Sequence, residues 1–118
     1  MRKSQSNRQL GVWGERFAVK HIQETGGFIL SQNARYGGVE VDIVFESQGV
    51  LVVCEVKTRT SLKYGHPLEV INAERFHRLH RALNEAMRIF QKSLGRVDVI
   101  GIILRPNLEI KHIEGITI

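Results

Sequence analysis

The sequence has a single cysteine, Cys54, and lacks the features that several classes of protein require. One cysteine cannot form an intramolecular disulfide, which excludes a disulfide-rich secreted domain. No run approaches the roughly 18 apolar residues of a membrane span. Residues 1–9 are polar and basic, without the apolar region of a signal peptide. We therefore expect a cytoplasmic protein that has no membrane partner.

Several motifs of common enzyme classes are also missing. There is no phosphate-binding loop and no dinucleotide-binding fingerprint in the sequence. The histidines never take the spacing of a zinc site, so zinc is not expected; they are His21, His66, His77, His80 and His112. The carboxylates and lysines are therefore the candidate reactive groups.

The composition fits one compact domain. The chain has 118 residues, of which 42% are hydrophobic, which is enough for a single core. Its net charge of +5 is compatible with a polyanionic partner. We assign residues 1–9 to a flexible basic tail and residues 10–118 to the domain. No repeat or linker follows the tail.

The hydrophobic pattern predicts the element order α-β-β-β-α-β-β. Helical spacing indicates helices over residues 11–24 and from Asn72 to about Ser93, and short apolar runs indicate strands over residues 28–35, 39–45, 50–57, 96–104 and 108–113. In the second strand we expect one apolar face, made by Val39, Val41, Ile43 and Phe45. These elements predict an α/β domain with a central mixed β-sheet flanked by helices.

Four charged residues lie on the second and third strands, where packing does not require them. Because side chains alternate along a strand, Asp42 shares a face with Glu40, and Glu55 shares a face with Lys57. If the two strands pair as a hairpin, three carboxylates and one ammonium meet on one patch of the sheet. Ordinary surface charges at a strand end are the alternative interpretation.

A further carboxylate comes from the first helix. Glu15 lies among apolar positions of the helix, so we expect it to point inward. An inward carboxylate needs a partner or an ion, although a helix-capping or helix-dipole role would also explain it. Glu15, Asp42, Glu55 and Lys57 therefore form our candidate catalytic set.

This set suits a magnesium-dependent hydrolase. Mg²⁺ usually takes one or two protein carboxylates and keeps several waters, and Asp42 and Glu55 meet that need. Glu15 could bind the metal through water or hold a second ion. Lys57 would orient the attacking water or neutralise developing charge. Glu40 is a candidate helper, and Mn²⁺ is an alternative to Mg²⁺.

The ordered set resembles the signature of restriction-endonuclease-like folds and archaeal Holliday-junction resolvases: a helix glutamate, a strand aspartate and a Glu-x-Lys. More closely, the chain resembles the YraN-like family of predicted endonucleases over nearly its whole length. The matching segments are Gly14-Glu15 with Ala18, Asn33 with Arg35, Glu40-Val41-Asp42-Ile43, Glu55-Val56-Lys57-Thr58-Arg59, Tyr64-Gly65-His66-Pro67 with Glu69, Arg96-Val97-Asp98-Val99 and His112-Ile113-Glu114.

The resemblance implies a restriction-endonuclease-like domain that hydrolyses DNA phosphodiester bonds, with structured or branched DNA as an expected substrate. It also implies a homodimer. Basic residues would hold phosphates, with an affinity that falls with salt; they are Arg59, Lys63, Arg75, Arg78 and Arg81. The chain departs from the family pattern at Val39, usually glycine, and at Arg75, often lysine. A non-catalytic nucleic-acid-binding or scaffold protein and a ribonuclease remain alternatives.

Overall fold

The computed structural model describes residues 2–67 and 71–116. Its elements, in chain order, are α1 (Arg2–Glu24), β1 (Phe28–Tyr36), β2 (Val39–Ser47), β3 (Val50–Arg59), a short 3₁₀ helix (Leu62–Tyr64), α2 (Ala73–Ile89), β4 (Gly95–Ile103) and β5 (Glu109–Ile113). This order confirms the prediction from the hydrophobic pattern. Glu69, which belongs to one of the matching segments, lies outside the described residues.

The strands form one mixed sheet in the order β1-β2-β3-β4-β5. The first three strands make an antiparallel meander, β3 and β4 are parallel, and β5 returns antiparallel to β4. Parallel neighbours need a crossover connection, and α2 supplies it. The predicted α/β domain with a central mixed sheet flanked by helices is thereby confirmed.

The two helices cover opposite faces of the sheet, so each face has its own core. The core under α1 contains Ala18, Ile22, Ile43, Phe45, Val52, Cys54, Ile100 and Ile102. The core under α2 contains Tyr36, Val39, Val41, Val44, Leu51, Val53, Leu79, Ala82, Leu83, Ala86 and Val97. Because β3 is apolar on both faces, both helices can pack against it.

Both helices differ from the prediction at one end. Helix α1 begins at Arg2, so it includes residues that we predicted to form a flexible basic tail. Helix α2 ends at Ile89 rather than near Ser93, because Gln91 adopts a left-handed backbone with φ of 55° that cannot continue a helix. Neither α-helix in the described part of the chain is long and apolar enough to cross a membrane.

Strand β2 changes faces part-way along, so the prediction of one apolar face was wrong. Val39 and Val41 pack under α2, whereas Ile43 and Phe45 pack under α1. Strict alternation would keep all four residues on one face. The strand must therefore be irregular between Val41 and Ile43, at Asp42.

The irregularity coincides with the point where the pairing of β2 with β3 stops, at Asp42. The paired register of β2 with β3 runs only from Ile43 to Ser47. At Asp42 a side-chain hydrogen bond takes the place of the main-chain hydrogen bonds between the strands: Asp42 Oδ2 accepts from the Val56 main-chain N–H at 2.8 Å. On the other side, Asn33 of β1 has a left-handed φ of 51°. The first residues of β2, up to Asp42, thus diverge from β3 and leave a gap beside the Asp42 carboxyl group.

Candidate active site

A cleft of about 430 Å³ opens where β2 separates from β3. Helix α1 forms one wall, and the end of β3 with the loop after it forms the other. Its lining includes Glu15, Asp42, Lys57, Thr58, Arg59 and Ser61. Three of the four candidate catalytic residues therefore face one cleft. Glu55, the fourth, does not line the cleft but neighbours Asp42, which does.

The carboxyl groups of Asp42 and Glu55 lie close enough for each to shift the pKa of the other. Burial, and then the negative charge of Glu55, raises the pKa of Asp42 to about 7, against the opposing effect of the Val56 N–H. Two carboxylates this close resist ionising together unless a cation compensates them. The pair therefore has the donor chemistry of a cation site.

Glu55 is held in its charged form by two cations. Its side chain is 3% exposed, and the Arg75 guanidinium donates to both of its oxygens, with Nε 2.6 Å from Oε2 and one terminal nitrogen 3.0 Å from Oε1. Lys57 Nζ lies 3.7 Å from Oε2. Burial alone would raise the pKa of Glu55, but the hydrogen bonds and charge of Arg75, with the charge of Lys57, lower it.

Arg75 connects three elements at this site. Asn72 caps α2 and accepts a hydrogen bond of 2.8 Å from the Arg75 main-chain N–H, which fixes Arg75 in the first turn. The guanidinium also donates to the Glu40 carbonyl oxygen at 3.2 Å. We predicted a phosphate-binding role for Arg75, and the structure places it on Glu55. The Glu40 side chain is exposed. Its negative charge adds to the larger effect of Glu55 in raising the pKa of Arg75.

Glu15 lies at the mouth of the cleft. Its Oε2 accepts a hydrogen bond of 3.1 Å from Asn33 Nδ2, and its charge contributes to the raised pKa of Asp42. Within residues 2–67 and 71–116, no group of three or more His, Cys, Asp or Glu side chains is arranged to hold a metal ion. The Asp42–Glu55 pair alone still fits Mg²⁺, since that ion needs only one or two carboxylates besides water and substrate oxygens.

Comparison with known proteins agrees with the motifs. The model of the uncharacterised protein family UPF0102 matches residues 14–102. The chain belongs to this family. A UPF0102 protein of Paenarthrobacter aurescens is 39% identical over 113 residues, which cover 91% of this chain and 92% of the relative. A second, of Bacteroides thetaiotaomicron, is 36% identical over 110 residues, covering 92% and 91%. The predicted membership of the YraN-like family is confirmed.

The remaining basic candidates of this UPF0102 chain fall into two groups. Arg59 lines the cleft, and Lys63 lies in the 3₁₀ helix beyond it. Arg78 and Arg81 lie on the outer side of α2, where they border an open groove with Glu74 and His77. The candidates therefore do not form one patch, and the two groups flank the acidic pair from different elements.

Sequence reasoning missed a second charged cluster of the UPF0102 domain, centred on Asp98 of β4. Asp98 is fully buried, and Arg96 donates to its oxygens at 2.9 and 3.3 Å. His112 Nε2 lies 2.7 Å from Oδ2, and the Gly115 main-chain N–H donates to Oδ1 at 2.9 Å. A carboxylate flanked by Val97 and Val99 in an apolar strand was the available signal.

The cluster extends to α1 through a histidine pair. His21 Nε2 of α1 lies 3.0 Å from His112 Nδ1 of β5. Burial, and then the charge of His112, lowers the pKa of His21. Burial alone would raise the pKa of Asp98, but hydrogen bonds from His112 and Arg96 lower it. This chain of contacts ties β4, β5 and α1 together, which is a structural role.

Proposed function

We propose that the protein is a metal-dependent endonuclease that hydrolyses phosphodiester bonds of DNA. The observation that carries the proposal is the neighbouring pair of Asp42 and Glu55: Asp42 Oδ2 accepts from the Val56 main-chain N–H at 2.8 Å, and Lys57 Nζ lies 3.7 Å from Glu55 Oε2. A buried glutamate beside a half-buried aspartate and a lysine, open to a cleft, offers both a cation site and a group that stabilises developing negative charge.

The side chains of the site have separate roles in the proposed reaction. Asp42 and Glu55 would hold Mg²⁺ or Mn²⁺, which when bound activates a water and polarises the scissile phosphate. Lys57 orients the attacking water or neutralises charge on the phosphate oxygens. Glu15, hydrogen-bonded to Asn33, keeps a carboxylate at the cleft mouth, where it would accept a hydrogen bond from water in the cleft. Hydrolysis adds water across one P–O bond and leaves a phosphomonoester and a hydroxyl end.

The surroundings support a polyanionic substrate. The chain carries a net charge of +5, and Arg59 stands in the cleft with basic side chains of α2 on the neighbouring surface. The resemblance to junction resolvases favours DNA, including branched DNA, bound by a homodimer in the cytoplasm. A ribonuclease would use the same carboxylates and lysine.

A nucleic-acid-binding protein without turnover is the second candidate. One observation favours it: both oxygens of Glu55 are already hydrogen-bonded to Arg75. A protein that never released this contact would keep the fold and the basic surface but could not hold a catalytic ion at Glu55.

Cleavage assays separate these functions. We would incubate the pure protein with labelled linear, forked and four-way-junction DNA, and with RNA of the same sequence, in Mg²⁺ or Mn²⁺. We expect metal-dependent cleavage that falls at least about 100-fold in Asp42→Ala and Lys57→Ala, because each removes a group that acts in the transition state.

Glu109→Gln is the matched control, since Glu109 is an exposed carboxylate of β5 and does not line the cleft. Its activity should equal that of the wild type. Binding without metal-dependent cleavage would favour the second candidate, and cleavage that survives both alanine substitutions would refute the assigned site.

A further inference from the structure

Arg75 occupies the carboxylate that the proposed cation needs. Its Nε lies 2.6 Å from Glu55 Oε2, and its terminal nitrogen lies 3.0 Å from Oε1. Lys57 Nζ lies 3.7 Å from Oε2, and the Asp42 carboxyl group lies beside the same carboxylate. Glu55 therefore has little free lone-pair space left for a metal at the roughly 2.0–2.1 Å of a Mg–O bond.

Charge also opposes the binding of both occupants at once. A divalent cation bound to Glu55 beside the guanidinium would put like charges within a few ångströms in a site where Glu55 is 3% exposed. Arg75 is not buried with its partner, because 26% of its side chain is exposed. The guanidinium can therefore leave Glu55 toward solvent without unpacking a core.

After it leaves Glu55, Arg75 can bind a second anion in the complex with nucleic acid, namely a backbone phosphate. Arg78 is three residues further along α2, so the two side chains are neighbours on the helix surface. Arg78 and Arg81 border the open groove on that side. The guanidinium fork that binds a carboxylate through two nitrogens binds a phosphate in the same way.

We propose that Arg75 is an exchangeable counter-cation of the site. It neutralises Glu55 in the metal-free protein, gives Glu55 up to the divalent cation, and then binds a phosphate of the nucleic acid. The inference rests on the proposed function and adds its regulation: metal and DNA bind cooperatively, because each favours the same movement of one side chain.

Mn²⁺ affinity tests the exchange without reference to activity. We would titrate Mn²⁺ into wild-type, Arg75→Gln and Arg78→Gln protein and follow the free ion by electron paramagnetic resonance. Arg75→Gln should bind Mn²⁺ about tenfold or more tightly than the wild type, because the competitor is gone. Arg78→Gln removes the same charge one turn away and should change the affinity less than about twofold.

The outcomes distinguish the two proposals. Equal or weaker Mn²⁺ binding by Arg75→Gln, with clear binding by the wild type, overturns the exchange and leaves the nuclease proposal standing. No Mn²⁺ binding by either protein overturns both. A short duplex DNA should tighten Mn²⁺ binding by the wild type but not by Arg75→Gln, and equal tightening in both would overturn the coupling.

A measurement on the wild type covers the case in which Arg75→Gln does not fold. In protein labelled with ¹⁵N-arginine, the Arg75 Nε–H resonance is assigned by its loss in Arg75→Lys. Saturating Mg²⁺ should shift this resonance toward the position of a solvent-exposed arginine, while the Arg88 resonance stays in place. An Arg75 resonance that does not move while Mg²⁺ binds would show that the guanidinium stays on Glu55.

Discussion

Asp42 and Glu55 are neighbouring acids, yet their surroundings move their pKa values in opposite directions. Glu55 is paired with the Arg75 guanidinium and is kept charged, whereas Asp42 has no comparable ion pair among the described side chains and is raised to a pKa of about 7. The difference lies in the two cations beside Glu55, of which Arg75 has the larger effect and Lys57 the smaller. A proton on Asp42 lets the two acids share a hydrogen bond where two negative charges would repel.

The raised pKa predicts that Asp42 destabilises the metal-free fold at alkaline pH. Its folded pKa of about 7 lies above the ordinary value of 3.8, so the folded state binds this proton more tightly than the unfolded state. Stability is therefore lost as the pH rises from about 4 to 7, and the full cost remains above 7. Asp42→Asn keeps the acceptor for Val56 and a donor for Glu55 without the charge.

We expect Asp42→Asn to raise the free energy of unfolding by about 1–3 kcal/mol at pH 8 in EDTA, since one pKa unit corresponds to about 1.4 kcal/mol. The gain should shrink toward pH 4. Thermal melts across this range measure it, with Glu40→Gln as the control for loss of a nearby negative charge. An unchanged melting temperature at pH 8 would contradict the assignment.

At the scale of elements, the site depends on how closely α1 approaches β3. Gly14 is buried against Thr58, and a Cβ atom at Gly14 would lie 1.8 Å from Thr58 Oγ1. Glu15 follows directly, so this contact fixes where the helix presents its carboxylate. The absence of a side chain at Gly14 therefore sets one wall of the cleft.

Gly14→Ala should push α1 away from β3 and lower the free energy of unfolding by about 1–3 kcal/mol, as overpacking does. Denaturant unfolding measures the loss. Thr58→Ala in the same background should recover part of it, because it removes the closest atom. Gly11→Ala is the matched control: nothing lies within 4 Å of its Cβ position, so it should be neutral or stabilising by up to about 1 kcal/mol.

At the scale of the whole molecule, the Asp98 cluster joins the two ends of the chain. It links β4 to β5 through His112, to the segment after β5 through Gly115, and to α1 through His21. The cluster lies away from the cleft, since none of these residues lines it. Its titration should therefore report global stability rather than chemistry at the carboxylate pair.

Acid should weaken this cluster. The folded pKa of His21 is lowered from 6.5, so the unfolded state binds its proton more readily, and stability falls as the pH drops below about 6.5. Asp98, whose pKa is lowered from 3.8, adds a loss at still lower pH. The titration of Asp42 makes stability rise as the pH falls, which opposes the effect of this cluster. The effect is therefore best measured in the Asp42→Asn background.

In that background we expect the free energy of unfolding to decrease from pH 7 to pH 5, and His21→Gln to flatten the decrease. Chemical denaturation at each pH gives the curve. His77→Gln, an exposed histidine of α2, is the control and should leave the slope unchanged. A slope that persists in His21→Gln would assign the pH dependence to other groups.

The fold could be predicted because its elements follow from local patterns of apolar residues and from the turns between them. The same local patterns could not show that β2 changes faces, since that depends on the contact of Asp42 with Val56, 14 residues away. Nor could they choose between a phosphate and Glu55 as the partner of Arg75, or join His21 to His112 across 91 residues. Such pairs are fixed by the tertiary arrangement alone.

The topology has a consequence for the order of assembly. The acidic pair lies within the antiparallel meander of β2 and β3, whose contacts are local and can form early. Arg75 arrives 20 residues beyond Glu55 with the crossover helix, and the parallel pairing of β3 with β4 requires that crossover. Docking of α2 thus brings the compensating charge to Glu55, so the electrostatics of the site favour this long-range step of assembly.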